Sequence, residues 1–364
     1  MRVIHLIPAL CLLPAMSHAG LQYSVSSLGS GRVISGTITG LNNNGVVVGT
    51  YTAVGGPSDL SFIGHGGTLS ALPAGFYPTA INDPGQVVGM SRSQGALSAA
   101  SYANGQVTPL GDLGYEYYGN RSRATAINNA GQIAGYAYTN EYGRAAGLIY
   151  SAGNVTTISS LYNSTNTTPK DINTSGVIAG NVDPGNGWGH GFIYANGTMT
   201  DIGTLGGLYS VATAINDSGA VVGYGDLKGG DSFKEYHAFL YSNGTMHDLG
   251  ARGAQWSQAL DISDNGTIIG YWGTGGTVTP FIYTGGVMHA ANDLLANPKL
   301  SVRNIHAIND KDQIAATVCV SHGDCYLSLL TPVPEPSTYA MLLGGLGVVG
   351  AAARRRRRDA HQPA

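Results

Sequence analysis

The sequence predicts an all-β fold: a seven-bladed β-propeller of four-stranded blades, closed by an N-terminal strand and followed by a single C-terminal transmembrane helix. Three observations carry this expectation: a repeat of about 45 residues, four short β-rich runs in each repeat, and chain ends that supply complementary parts of one unit. The repeat is clearest as an apolar residue, Asn, two variable residues, Gly, three mostly apolar residues and Gly. It occurs as LNNNGVVVG (41–49), INDPGQVVG (81–89), INNAGQIAG (127–135), INTSGVIAG (172–180), INDSGAVVG (215–223), ISDNGTIIG (262–270) and INDKDQIAA (308–316). A period in this range points to a stacked or radial array rather than one continuous core.

Within the fifth copy the runs are SVATAI (210–215), AVVGY (220–224), HAFLY (237–241) and TMHDL (245–249), separated by Asp-Ser-Gly and Asn-Gly turns. Asn and Gly tolerate the positive φ that tight hairpins require, so the runs read as antiparallel strands. A sheet of four short strands cannot bury its own faces, and packing seven around a channel solves that problem. The last copy supplies only SVRNIHAI (301–308), QIAATV (313–318) and CYLSLL (325–330), while LQYSVSSLG (21–29) matches its missing fourth strand. Pairing the two would close the ring and remove free edges. The propeller is thus assigned to residues 20–331.

The N-terminus has the layout of a secretory signal peptide over residues 1–19: Arg2, the apolar run 3–16, then Ser17, His18 and Ala19 at the cleavage site. Entry through the Sec export machinery follows. At the other end VPEPST (333–338) completes a linker over 332–338. It is followed by the uncharged run 339–353, read as a transmembrane helix, and a basic cytoplasmic tail over 354–364 with Arg354, Arg355, Arg356, Arg357 and Arg358. Fifteen residues give a helix of roughly 22 Å, short of the ~30 Å hydrocarbon core, which suits a temporary anchor in the inner membrane. The arginines would hold the tail inside and everything before the span outside.

Removing both ends, with Arg2, Arg354 to Arg358 and Asp359, reduces 18 basic and 21 acidic residues to 12 and 20, a net charge of about −8. That balance argues against nucleic acid as a partner. Cys11 departs with the signal peptide, leaving Cys319 and Cys325. In an oxidising compartment this pair is expected to form a disulfide in the closing blade, in preference to a metal site completed by His322 and Asp324.

The order Val333, Pro334, Glu335, Pro336, apolar span and arginine cluster resembles the PEP-CTERM sorting signal of Gram-negative bacteria. The resemblance implies export, retention in the inner membrane, cleavage by an exosortase near the Pro-Glu-Pro, and release to the cell surface or its polysaccharide matrix. The repeat text resembles the extracellular repeat family named for His-Ala-Phe: His237, Ala238 and Phe239 match it, as do Asp248, Leu249 and Gly250, and the run 201–207 is close. Thr279, Ala146, Asp312 and Ala316 depart from its pattern.

The repeated asparagines Asn42, Asn82, Asn128, Asn173, Asn216 and Asn309, with Ser263 in the sixth copy, read as turn residues that bond their own backbone rather than as a ligand ring. Their acidic neighbours in NDPG, NDSG and SDNG raise a calcium-dependent adhesin as an alternative, although the loops lack the alternating oxygen ligands of a calcium loop. His190 and His237 share a repeat position, which suggests hydrogen bonding between blades. No zinc spacing occurs, and neither a metal nor a cofactor is expected. The body holds only Glu116, Glu141 and Glu235, lacks a G-x-S-x-G elbow, and carries GNGWGHG (185–191) before a strand rather than a helix. A polysaccharide-acting hydrolase or lyase is therefore the runner-up to a binding or structural protein. Tyr115, Tyr117 and Tyr118 in one inter-blade loop, and Trp188, Trp256 and Trp272 beside glycines, are the candidate aromatics for stacking on extracellular polysaccharide.

Overall fold

The structure is a computed structural model. It describes residues 21–333 apart from 30–32, 54–59, 94, 141, 162–165, 184, 186, 230–234 and 321–322. Residues 1–19, read as a signal peptide, with His322, Pro334, Glu335, Pro336, the apolar run 339–353 and Arg354 to Arg358, lie outside the described residues. Among the described residues no helix is long and apolar enough to cross a membrane. The chain divides into two units, Tyr23–Pro332 and the terminal segments Met1–Gln22 with Val333–Ala364.

Tyr23–Pro332 is a propeller of seven four-stranded antiparallel sheets. In blades one to six the strands follow chain order from the channel outward. Blade five, for example, runs Gly206–Ile215, Val221–Leu227, Tyr236–Ser242 and Thr245–Gly250. Blade seven combines Leu300–Ile308, Ile314–Val320 and Cys325–Val333 with the N-terminal strand Gln22–Ser27 as its outer edge. The closing strand is held by Leu28 N–H donating to the Leu327 carbonyl at 2.8 Å and by the Ser26 hydroxyl donating to the Leu329 carbonyl at 3.2 Å. The third strand of this blade continues through Pro332 and Val333, two residues into the segment read as linker.

Every inner strand carries a bulge one residue before its final pair, at Thr39, Thr79, Thr125, Lys170, Thr213, Leu260 and His306. A bulge inserts one unpaired residue and strengthens the local twist, which aims that side chain into the channel. Thr39, Thr79 and Thr213 use the position to donate to the neighbouring blade, at the carbonyls of Pro78 (3.0 Å), Ala124 (2.7 Å) and Ala259 (3.1 Å). The final Gly of the repeat faces the same stretch. A Cβ on Gly223 would strike the Val211 carbonyl oxygen, so this glycine permits strand approach rather than a turn. Blade seven has Ala316 there; like blades one and five, which keep the Gly, it has a second register shift, between Val302 and Asn304. Its turn residue Asp312 takes the positive φ (54°) that glycine supplies in the other copies.

The core is a set of layers between blades. Phe62, Phe192, Phe239 and Phe281, one from the third strand of each of four blades, are 0% exposed. Phe281 packs with Ala214, Val222 and Ala238 of the preceding blade, and Phe62 with Ala307, Ala315 and Leu327 of blade seven. Each such ring contributes about 1.5–3 kcal/mol of burial, which no single blade could provide alone.

Candidate functional site

At one end of the channel the repeat asparagines link each blade to the next. Asn42 Nδ2 donates to the carbonyl of Asn82 (3.0 Å), Asn82 to Asn128 (3.1 Å), Asn128 to Asn173 (3.0 Å), Asn173 to Asn216 (3.1 Å) and Asn216 to Ser263 (3.1 Å). Asn309 closes the circuit onto Asn42 at 2.9 Å. The step from blade six to blade seven differs, because the Ser263 hydroxyl donates to Asp312 at 2.6 Å. Each Asn Oδ1 also accepts from its own turn, as Val46 N–H donates to Asn42 at 2.9 Å. The asparagines therefore serve as turn residues and as rivets between blades.

The residues that follow add a second set of links between blades. Backbone N–H groups of Asn43, Asp217, Asp264 and Asp310 donate to the side chains of Asp83 (2.7 Å), Asp264 (2.8 Å), Asp310 (3.0 Å) and Asn43 (2.9 Å) of the next blade. The carboxylates at this mouth thus act as acceptors for backbone. Among the described residues no three His, Cys, Asp or Glu side chains gather where they could hold a metal ion.

Deeper in the channel, a cavity of about 340 Å³ is lined by the inner strands. Asp171 and Asp261 enter it where the other blades have Gly40, Ala80, Ala126, Ala214 and Ala307. Asp171 accepts from Ile172 N–H (2.8 Å) and from Ile215 N–H of the next blade (2.9 Å). Asp261 does the same with Ile262 and Ile308 (both 2.9 Å). Desolvation outweighs these bonds and raises the two carboxyls to about 6 and about 7. The neighbouring bulge positions hold Lys170, lowered by burial and by Arg123, and His306, lowered to about 4 by burial.

The opposite end is organised by a relay. His190 Nδ1 meets Asp201 at 2.7 Å, and His237 Nδ1 meets Asp248 at 2.9 Å. Each pair lies within one blade, across its third and outer strands, which corrects the expectation that these histidines bond between blades. The link between blades falls to buried serines. The Ser257 hydroxyl accepts from Ala238 N–H (2.8 Å) and donates to the Gly250 carbonyl (2.6 Å), while Gly250 N–H donates to Asp248 (2.6 Å). Ser210 repeats this with Gly191 and Gly203, and Ser122 with Ala99 and Gly111.

The predicted aromatics divide between two walls and one interface. Tyr118 is 87% exposed and Tyr115 54% exposed; Tyr117 packs against Tyr118 (ring centres 4.6 Å apart) and Tyr138 (5.2 Å). Trp188 lies parallel to Tyr209, with ring centres 6.3 Å apart and planes 15° apart, and Trp256 lies near Tyr236 at 5.7 Å and 27°. Trp272 is committed to the blade interface, parallel to the buried Phe281 at 5.8 Å and covered by the Arg252 guanidinium at 5.4 Å. Tyr209, Tyr224 and Tyr236 were missed by sequence reading, although they complete a cavity of about 410 Å³ with Trp188 and Gln258. Cys319 and Cys325 are bridged and directly paired across the second and third strands of blade seven.

Residues 332–358 match the PEP-CTERM protein-sorting motif. Such signals are recognised by exosortase and imply export with membrane-associated processing before the cell surface is reached. No curated protein matches the chain. Among solved structures, the β-propeller domain of the Trilobed protease from Pyrococcus furiosus, described as having an open velcro topology, aligns with TM-score 0.54 and 9% identity over 83% of this chain and 95% of that one. A puromycin-hydrolyzing peptidase of Mycobacterium tuberculosis aligns with TM-score 0.53 and 11% identity over 80% of this chain and 52% of that one. An acylaminoacyl peptidase of Pyrococcus horikoshii aligns with TM-score 0.51 and 9% identity, over 80% and 52%. This chain spans about half the length of the two peptidases. At these identities the likeness is one of fold. The chain is therefore a β-propeller bearing a PEP-CTERM sorting signal.

Proposed function

We propose that the protein is an exosortase-processed propeller of the cell surface or extracellular matrix that acts by binding polysaccharide, without catalysing a reaction. The observation that carries the reading is the pair of aromatic walls, Tyr117–Tyr118–Tyr138 and Trp188–Tyr209–Tyr224–Tyr236, at the end of the propeller opposite the asparagine turns. The third strand of blade seven runs toward those turns, with Leu330 paired to Ile314. Aromatic faces stack on the apolar faces of sugar rings, and their hydroxyl and indole groups meet the polar rim.

The test is co-sedimentation of the processed protein with the host's purified extracellular polysaccharide, with reducing ends and unsaturated sugars measured in the same tubes. Retention without product release supports the binding reading. Turnover would replace it with a hydrolase or lyase. Retention lost on adding chelator would favour a calcium-dependent adhesin.

A further inference from the structure

We infer that the open cavity lined by Trp188, Tyr209, Tyr224, Tyr236 and Gln258 is a subsite for one neutral pyranose unit. This rests on the polysaccharide reading above and goes further in naming the place and the sugar class. The cavity measures about 410 Å³ and joins three blades. Trp188 precedes the third strand of blade four, the three tyrosines come from the inner, second and third strands of blade five, and Gln258 comes from the inner strand of blade six.

The rings are held in place before any ligand arrives. Asp226, only 1% exposed, accepts from Leu208 N–H at 2.7 Å and Tyr209 N–H at 2.8 Å, fixing the backbone from which Tyr209 projects. A Cβ on Gly207 would collide with the Asp226 carboxylate, so the glycine is required for that clamp. On the facing side Ser210 N–H donates to the Gly189 carbonyl at 3.1 Å and ties the Trp188 segment to blade five. Burying a carboxylate is unfavourable unless its bonds are met, and here two of those bonds orient the base of an aromatic side chain. Trp188 and Tyr209 present nearly parallel faces, whereas Tyr224 stands edge-on to Tyr209 at 81° and Tyr236 lies 48° from Tyr224. Rigid, pre-placed rings lose little conformational entropy on binding.

The chemistry selects the class of sugar. Among the described residues, none that lines the cavity carries a formal charge. Burial raises Tyr209, Tyr224 and Tyr236, so their hydroxyls stay protonated and neutral across the physiological range. The site therefore offers apolar faces, phenolic hydroxyls and one amide, which match the C–H faces and hydroxyl rim of a neutral hexose. A uronic acid would bring a carboxylate that no described lining residue meets with a cation. An ammonium ligand would use the faces but leave Gln258 and the hydroxyls without a directional role.

The experiment is a tryptophan-fluorescence titration of the processed protein with cellohexaose, mannohexaose and maltohexaose, with tri-galacturonate and choline as contrasts. At least one neutral hexaose is expected to bind, and Trp188→Ala and Tyr209→Ala to weaken it by about tenfold or more, while Val287→Ala, at an exposed position on the outer strand of blade six, leaves it unchanged. Gln258→Ala, which removes only an amide, gives a second reading should a ring variant fail to fold as judged by circular dichroism. Binding of host polysaccharide that survives all three cavity variants would overturn the subsite and leave the polysaccharide reading standing. Absence of any polysaccharide binding would overturn both. Preference for tri-galacturonate or choline over every neutral hexaose would overturn the sugar class.

Discussion

Asn309 of blade seven donates through Nδ2 to the backbone carbonyl of Asn42 in blade one, 2.9 Å away, closing at the channel a ring that the N-terminal strand closes at the rim. Asn309 is only 4% exposed, so the bond is shielded from water. Asn309→Ala would leave the Asn42 carbonyl with only its turn bond from Gly45 N–H and would strip Lys311 and Gln313 N–H of their side-chain acceptor, and is expected to destabilise the fold by about 1–3 kcal/mol. Urea unfolding of the processed protein would show this as a lowered midpoint at unchanged slope.

Ser257 and His237 offer a contrast on one relay. Ser257 is 0% exposed and bonds Ala238 and Gly250 across a blade boundary, whereas the His237–Asp248 pair is partly open to water. Ser257→Ala is expected to cost about 1–3 kcal/mol and His237→Ala less than about 1 kcal/mol. Equal losses in thermal unfolding would contradict this division of labour.

The disulfide between Cys319 and Cys325 spans a sequence separation of 6, so it restrains little of the unfolded chain. Cys319→Ser is expected to lower stability by about 2 kcal/mol or less. A reductant should lower the melting temperature of the native protein by a similar amount and leave that of the variant unchanged.

The channel carboxyls predict a pH dependence. Asp171 and Asp261 are raised from 3.8 to about 6 and about 7, so the folded state holds protons that the unfolded state has released. Their contribution to stability is complete below about pH 4 and is lost as pH rises to about 7. His306, lowered from 6.5 to about 4, acts in the opposite sense: its contribution is complete above pH 6.5 and is lost as pH falls. Replacing both aspartates with Ala, the residue in four other blades, should remove the alkaline decline. Melting temperature would then rise or stay level from pH 5 to pH 7.5. A decline unchanged in the double variant would show that other groups set it.

Blade number, strand order and ring closure were legible because they rest on local patterns: the Asn-x-x-Gly turn, alternating β-rich runs, and an N-terminal run that fits the incomplete last copy. What escaped was interaction between blades. Thr79 reaches Ala124 across 45 residues, and Asp261 reaches Ile308 across 47, distances at which sequence alone gives no partner. The final Gly, kept in six of the seven copies, was legible only as part of the repeat, and its reason, close approach between strands, appears in the fold. Asp171 and Asp261 could have been noticed as departures from a column of Ala and Gly. Trp188 and Trp256 were identified by residue type, but Tyr209, Tyr224 and Tyr236 become a wall only when adjacent strands bring them together.

The most direct test of the account is to map the C-terminus of the native protein by mass spectrometry of surface and medium fractions, with and without the host's exosortase. A chain ending between Pro334 and Pro336 is expected, and only when the enzyme is present. A chain still carrying residues 339–358 in both strains would contradict it.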